Sequence, residues 1–311
     1  MDVSIIIVNY FTSDLVLQAV DSIIKKSFGF TYEIVIVDNS NDDNELTSLR
    51  AKMNNLALIV NPCKNLGFGK ANNLGSSFAK GKYIFFLNSD TLLMNNAIYE
   101  LFVFMENQPN AGICGSNLFT KDLKPNHSFL RKEKTIRRDI NQLNIFRNFV
   151  MKMNKKRNDF NYTDIPVEIN GYVCGASLMI RAKEFNQIGG FDNRIFMYAE
   201  EALLCHHIIH KLGFRIYNVP SSKIVHYEGS SFERSISSHK AKLYIDGNAL
   251  YYQILYGSKV AIKYLESIKK AYKRNRLFFS LFRPRSKEYF AAHESACNEA
   301  IKKMTSNKRE E

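Results

Sequence analysis

The sequence predicts an α/β protein built on a mostly parallel sheet. Three observations carry this. Val3 to Val8 and Glu33 to Val37 are unbroken, β-branched apolar runs that stop at polar residues; the segment between them repeats apolar side chains at helical spacing; and the alternation of run and helix continues to residue 90. Runs without internal alternation belong to strands buried on both faces, which is the situation in a parallel sheet covered by helices.

Taken in order, the first strand ends at Asn9 and the second at Asp38-Asn39-Ser40. Between them, Ser13-Asp14 is positioned to cap a helix whose Leu15, Val16, Ala19, Val20, Ile23 and Ile24 form one apolar face. Ala57 to Val60 reads as a third strand, Lys70 to Ala79 as a helix and Tyr83 to Leu87 as a fourth strand; Leu101 to Gln108 and Gly112 to Leu118 add a helix and a strand. The stretch from there to about Asp164 has no clear period and reads as a partly helical insertion. Residues 168–226 are compact again, with apolar runs at Ser177 to Ile180 and Arg215 to Val219. Beyond Ser237 the sequence becomes aromatic, basic and helix-like, which sets the main expected boundary near residue 240.

A chain of 311 residues can bury a full core and still carry an appendage, and 45% hydrophobic with 23% charged residues excludes wholesale disorder. The five cysteines, Cys63, Cys114, Cys174, Cys205 and Cys297, are odd in number and lack paired short spacing. That argues against both a disulfide frame and a zinc site, and predicts reduced core thiols. The start carries Asp2 and an apolar run too short for a signal peptide or a membrane span, so the expectation is a cytoplasmic protein that begins at Met1. The net charge of +13 is concentrated: residues 121–157 hold 12 Lys/Arg against 3 Asp/Glu, and residues 259–311 hold 14 against 6. Basic charge in two segments points to an anionic surface or ligand met there; the alternative is a solvated basic face. Nucleic acid is disfavoured as a partner, because no recognised binding motif is present and the charge lies outside the motif-bearing body.

In open α/β sheets ligands sit beyond the carboxyl ends of the strands, where Asn9, Asp38 and Asn88-Ser89-Asp90 fall. A carboxylate in that position can hold a divalent ion against a diphosphate. The segment Asn65 to Gly75 (NLGFGKANNLG) lies where a strand hands over to a helix, and its glycines let backbone approach a ligand. It is a poor dinucleotide fingerprint, since the third glycine would fall at Asn72 and no acid follows at the usual interval.

Taken together, the motifs resemble the family 2 glycosyltransferases, particularly the rhamnosyltransferase-like branch acting on bacterial surface polysaccharides. The resemblance covers residues 3–231 and runs through Ser4 to Tyr10, Val37 to Ser40, Asn65 to Gly75 and Phe86 to Asp90. It resumes with Gly175-Ala176, Ile180-Arg181, Gly189 to Asp192, Phe196 to Glu201 and His226 to Ser231.

The resemblance implies a GT-A fold, a Rossmann-like nucleotide-binding sheet merged with an acceptor-binding half, working with Mg2+ or Mn2+ on a nucleotide-sugar donor and a glycan or lipid-diphosphate-linked acceptor. Combined with the boundary near residue 240, this makes residues 1–240 the expected catalytic domain, with a donor half at 1–118 and an acceptor half at 119–240 containing the basic insertion 121–164, and residues 241–311 a helical extension on which the resemblance is silent. Asp38 matches the acid that contacts the nucleoside, with Asn9, Tyr10 and Asn39 beside it; Asn65, Gly67, Gly69 and Asn72 fall on the donor turn, followed by Asn88 and Ser89. Asp90 matches the metal ligand and His226 a histidine that joins it. Gly175, Ala176 and Tyr198 fall on the acceptor side. The catalytic base is usually the aspartate of a Glu-Asp pair; the pair here reads Glu200-Glu201, so Glu201 holds that position and Glu200 is the next candidate. Leu203 replaces another acid, Phe11 an asparagine, and Gly247 an arginine that precedes the asparagine matched by Asn248.

Two alternatives stay open. The Glu201 substitution fits a catalytically inactive nucleotide-sugar binder or scaffold of the same fold. In the tail, Tyr264, Ile268, Tyr272, Leu277, Phe278, Phe279, Leu281 and Phe282 interleave with Lys269, Lys270, Lys273, Arg274, Arg276, Arg283 and Arg285. That pattern fits a peripheral membrane contact or a packed terminal helix.

Overall fold

The first apolar run forms β1 (Val3–Asn9) and the second β2 (Tyr32–Asp38), in a computed structural model that describes residues 1–144, 157–227, 238–279 and 284–306. The described chain divides into two compact units. One comprises residues 1–133, 157–193 and the described part of 201–233; the other comprises the described parts of 134–156 and 234–311, together with 194–200.

In the first unit α1 (Ser13–Lys26) buries Val16, Ala19, Val20 and Ile23, while Ile24 stays exposed. Its start differs from the expected Ser13-Asp14 cap. Ser13 lies inside the first turn and the preceding Thr12 makes no capping bond, because its hydroxyl is held by Asn9 Oδ1 at 3.1 Å and Ser89 Oγ at 3.0 Å. The free amide of Ser13 donates instead to Glu45 Oε1 (2.9 Å), a carboxylate from α2 (Asp43–Met53). A negative charge from a neighbouring helix thus does the work of a cap.

The alternation continues through β3 (Leu58–Val60), α3 (Phe68–Ser76), β4 (Tyr83–Asn88), β5 (Thr91–Leu93), α4 (Ala97–Asn107) and β6 (Ala111–Phe119). After β7 (Phe129–Leu130) the unit resumes with β8 (Val167–Ile169), β9 (Tyr172–Val173), β10 (Ser177–Arg181), the short α6 that follows it (Ala182–Gln187), a long helix over Glu200–Leu212, and β11 (Arg215–His226). Nine strands form one sheet, ordered β3-β2-β1-β4-β10-β6-β11-β5 with β8 on β11; β7 and β9 pair separately. Strands β3, β2, β1, β4, β6 and β11 run one way, and β10, β5 and β8 the other. The sheet is therefore mostly parallel, with one reversed strand, β10, between β4 and β6.

Successive residues of β1 enter opposite cores, as the pleat requires. Ile5 and Ile7 pack with Val20, Leu49 and Leu101, from α1, α2 and α4; Ile6 packs with Phe86, Leu178, Phe185, Phe191 and Ile208 on the other face. Cys114 and Cys205 are buried thiols, but Cys63 is exposed, against the expectation of core thiols throughout.

The second unit is helical. It contains α5 (Ile136–Gln142) and, with α7 assigned to the Glu200–Leu212 helix, α8 (Ser238–Tyr256), α9 (Ser258–Phe279) and α10 (Pro284–Ser306), the last three packed against one another. Part of the basic insertion is internal here: Lys134 is buried and pairs with Asp139 at 2.7 Å, and Tyr252 donates its hydroxyl proton to the same carboxylate at 3.0 Å. Burial first, and the Asp139 charge next, raise the Tyr252 phenol far above its ordinary value. Arg147, Lys152, Lys155 and Lys156 lie outside the described residues, as do Leu281, Phe282 and Arg283 of the tail and the Arg285 side chain. Tyr264, Ile268 and Tyr272 are buried within the helical unit and so are not available to a membrane; Leu277 and Phe278 are exposed. Among the described residues no helix is long and apolar enough to cross a membrane.

Candidate active site

The carboxyl ends of β1, β2 and β4 bring the first group of predicted residues together. Asn9 and Asp38 are register partners on neighbouring parallel strands, and Val8 is opposite Asn88. Asn9 is buried and fully engaged: Nδ2 donates to Asp38 Oδ1 (3.0 Å) and Glu45 Oε1 (3.1 Å), and Oδ1 accepts from the amide and hydroxyl of Thr12. Asp38 Oδ1 also accepts from Ser40 Oγ at 2.8 Å, whereas Asp38 Oδ2 is buried and has no hydrogen-bond partner among the described residues. A buried carboxylate oxygen left open is costly unless something that donates hydrogen bonds completes it. Tyr10 stands half-buried at the same strand end, its ring edge-on to Phe11 at 5.0 Å.

Asn39 connects this end to the turn before α3. Its Nδ2 donates to Asn65 Oδ1 (2.9 Å) and its Oδ1 accepts from the Leu66 amide (2.7 Å), while Gly67 N donates to Asn65 Oδ1 (2.9 Å). Gly67 has φ 78° and ψ −177°, a conformation only glycine adopts without strain. Gly69 and Asn72 are buried in the helix that follows, and the Asn72 amide group is spent on the Phe68 carbonyl (3.1 Å).

The third group surrounds the end of β4. His226, at the end of β11, is opposite Thr91, and its Nε2 lies 3.3 Å from both Asn88 Nδ2 and Asp90 Oδ1. Asp90 and His226 side chains are 6% and 11% exposed. Asn88 Nδ2 can donate to Nε2 only in the tautomer with Nε2 unprotonated, and Asp90 Oδ1 can accept only when Nε2 carries the proton, so the ring serves one neighbour at a time. His226 Nδ1 is buried without a hydrogen-bond partner among the described residues.

Because β10 is reversed, its beginning lies where its parallel neighbours end. The Asn88 amide donates to the Ala176 carbonyl at 3.1 Å, and a Cβ on Gly175 would be 3.8 Å from Glu201 Cβ and 3.6 Å from the Phe68 ring. Glu201, in the first turn of α7, thus lies beside Gly175, whose neighbour Ala176 is hydrogen-bonded to Asn88. Tyr198 and Glu200 belong to the second unit. There Tyr198 and Ala199 have φ of 70° and 69°, Glu200 is buried, and the Tyr198 ring lies 5.6 Å from Tyr244. Burial, and then the charge of Glu200, raise the Tyr198 phenol. Glu228 to Ser231 of the last motif lie outside the described residues.

Three residues of this corner were not anticipated from sequence. Thr12 and Glu45 orient Asn9, and Asn73 holds the Gly189 to Asp192 turn through Phe191 O (2.8 Å) and Phe191 N (2.9 Å). The only sequence signal for Glu45 is its spacing from Asp42, whose side chain caps α2 at the Glu45 amide.

The family model described as "Glycosyl transferase family 2" matches residues 4–179. The chain belongs to glycosyl transferase family 2. Among curated relatives, the rhamnosyltransferase WbbL of Escherichia coli K12 is 26% identical over 172 residues, covering 52% of this chain and 61% of that protein. The N-acetylglucosaminyl-diphospho-decaprenol L-rhamnosyltransferase of Mycobacterium tuberculosis is 38% identical over 71 residues, 23% of each chain. The match thus spans less than two thirds of either relative. Among solved structures, the mannosyltransferase PcManGT of Pyrobaculum calidifontis in complex with GDP-Man and Mn2+ superposes with a TM-score of 0.56 at 15% identity, covering 96% of this chain and 86% of that one. The family 2 chain described here therefore has the GT-A fold, with a helical C-terminal region.

Proposed function

We propose that this family member transfers a sugar, with inversion, from a nucleotide-diphosphate sugar to a hydroxyl of a glycan or lipid-linked glycan acceptor in bacterial cell-surface polysaccharide synthesis. The observation that carries the reading is the paired carboxylates at the strand ends: Asp38 with a buried oxygen free for a nucleoside donor group, and Asp90 with a second ligand, His226, 3.3 Å away. The relatives' names supply the reaction and substrate class, and the PcManGT complex supplies the precedent of a nucleotide sugar bound with Mn2+.

In this reading residues 1–118 bind the donor, residues 119–240 bind the acceptor, and residues 241–311 form an extension. Asp38 Oδ2 accepts from the nucleoside, Asn9 and Asn39 orient the strand ends, and the Asn65 to Gly69 turn lets backbone approach the donor. Asn88, Ser89 and Tyr10 complete the donor side, and Gly175 and Ala176 line the acceptor side; Tyr198, in the second unit, is a further acceptor-binding candidate. Two ligand atoms 3.3 Å apart fit one divalent ion at ordinary bond lengths of about 2.1 Å, so Asp90 and His226 are the residues that would hold Mg2+ or Mn2+. Such an ion supplies positive charge to the departing diphosphate. Glu201 accepts the proton of the acceptor hydroxyl as that oxygen bonds to the anomeric carbon; the bond from that carbon to the phosphate oxygen breaks, and the nucleoside diphosphate leaves from the opposite face. The enzyme acts at the cytoplasmic face of the membrane, where the exposed Leu277 and Phe278 offer a peripheral contact.

The test is release of nucleoside diphosphate from a panel of nucleotide sugars with and without Mn2+. Turnover is expected to stop in EDTA, to return with Mn2+ or Mg2+, and to fall about 10²–10³-fold in Asp90→Ala. Full turnover in EDTA would overturn the metal assignment, and no turnover with any donor would favour the inactive binder suggested by Glu201.

A further inference from the structure

Away from the strand ends, a second set of ligand-type side chains converges on the outer part of α7. His206 and His210 are one helical turn apart, so their rings lie on one face with centroids 4.2 Å apart. Both point at one carboxylate oxygen, Glu133 Oε1, with His206 Nδ1 at 2.5 Å and His210 Nε2 at 3.1 Å. Glu133 comes from the segment after β7, 73 residues before His206. The three ligand atoms lie within 4.8 Å of one another. Ligands of a tetrahedral ion with bonds of about 2.0–2.1 Å are about 3.3 Å apart, so shifts of a few tenths of an ångström to about 1.5 Å bring all three to one ion.

The competing account of this cluster is a hydrogen-bonded group with a proton shared between imidazole and carboxylate. It serves one histidine well and the other poorly. A carboxylate oxygen can pair with one imidazolium, but a second positive ring 4.2 Å from the first is repelled by it. Two rings on one helix face converging on one carboxylate oxygen are the arrangement a metal takes.

We infer that Glu133, His206 and His210 form a binding site for one zinc-class divalent ion, distinct from the strand-end site. Two imidazole nitrogens and one carboxylate oxygen are a zinc-type donor set, whereas Mg2+ and Ca2+ take oxygen. No cysteine takes part, so the cysteine spacing of the sequence is silent about it. His206 and His210 follow Glu201 by about 7.5 and 13.5 Å along the helix axis. An ion there pins the helix that carries Glu201 to the basic insertion at Glu133. Its role is to fix that helix, with no contact to the reacting atoms.

The experiment uses the full chain freed of metal and titrated with Zn2+ alone, by equilibrium dialysis with metal analysis and by calorimetry, in excess Mg2+ to occupy oxygen-rich sites. One equivalent of Zn2+ is expected, together with a rise in Tm, because an ion that binds only the folded chain stabilises it. Co2+ in place of Zn2+ is expected to give the visible bands of a tetrahedral site. His210→Gln, at a half-exposed position that tolerates the change, is expected to weaken Zn2+ by more than the about 10–100-fold that loss of a supporting group costs, and to abolish the Tm rise. Glu133→Gln serves as the second variant, and a circular dichroism spectrum identical to wild type shows that each is folded. Asp90→Ala is expected to keep the Zn2+ equivalent. The inference is overturned if wild type binds no Zn2+ equivalent, if folded His210→Gln and Glu133→Gln bind it as wild type does, or if Asp90→Ala loses it.

Discussion

Asn9 Nδ2 holds Asp38 Oδ1 at 3.0 Å across two register-paired strands, and this one bond decides which oxygen of Asp38 faces outward from the network. With Oδ1 also taking Ser40, Oδ2 is the atom left for a ligand. On the proposed function, Asn9 is a positioning residue and Asp38 a binding residue.

Their substitutions should separate. Asp38→Ala is expected to weaken nucleotide-sugar binding at least about 10-fold, since a charged hydrogen bond is worth about 1.5–3 kcal/mol. Asn9→Ala is expected to lower folding stability by about 1–3 kcal/mol, because it leaves Thr12 and Glu45 short of partners inside a buried network. Urea unfolding and donor titration measure the two effects; a donor defect in Asn9→Ala as large as that of Asp38→Ala would assign Asn9 to the ligand itself.

Glu201→Gln is expected to lower transfer about 10²–10⁴-fold while leaving donor affinity within about twofold of wild type, as loss of a base does. Glu201→Asp shortens the side chain by one methylene and should fall between wild type and the glutamine variant. Single-turnover transfer alongside donor titration resolves this. A wild-type rate in Glu201→Gln moves the role, first to Glu200.

Most of the strands and their polar ends were legible, because buried strands announce themselves as apolar runs. The direction of β10 was not: Ser177 to Ile180 has the composition of any buried strand, and only its pairing with β4 and β6 makes it antiparallel. Glu45 was missed for a similar reason, since its own helix explains its place in sequence while its carboxylate serves Asn9 and Ser13. The 3.3 Å approach of His226 to Asp90 depends on β11 extending to His226, beyond the Val219 at which its apolar run seemed to end.

Gly247 shows a departure from the family pattern acquiring a steric reason. A Cβ there would lie 2.3 Å from the Met197 carbonyl oxygen and 2.5 Å from that of Tyr198, both backbone atoms just before Glu200. Gly247→Ala is expected to destabilise the fold by about 1–3 kcal/mol or more, read from the urea midpoint, and Gly247→Arg by at least as much. A neutral arginine variant would mean that α8 and residues 197–198 separate readily.

Asp159 gives the pH prediction. Burial pushes its carboxyl up, but His127 Nδ1 at 2.9 Å and Arg157 Nε at 2.7 Å outweigh that and hold it well below the usual carboxylate range. A group lowered in this way stabilises the fold above its unfolded pKa of about 3.9 and ceases to as pH falls through its folded value. Asp159→Asn should therefore cost about 1–3 kcal/mol at pH 7, with the difference from wild type narrowing below about pH 4. Urea melts at pH 7 and pH 3 compare the two, and an equal deficit at both would assign the loss to packing.

The reversed strand also sets an order on synthesis. Ribosomes deliver β4 and β6 long before β10, yet β4 and β6 do not touch; each keeps a bare hydrogen-bonding edge until residues 177–181 emerge and slot between them. For β4 that edge is Tyr83-Ile84-Phe85-Phe86-Leu87, a segment prone to pairing with other chains. The strand that seals this hazard also carries Gly175 and Ala176 to the Asn88 corner. For the β4 edge, protection from edge-to-edge association and the arrival of Gly175 and Ala176 beside Asn88 therefore come in one and the same step, while β6 keeps its other edge open until β11 follows.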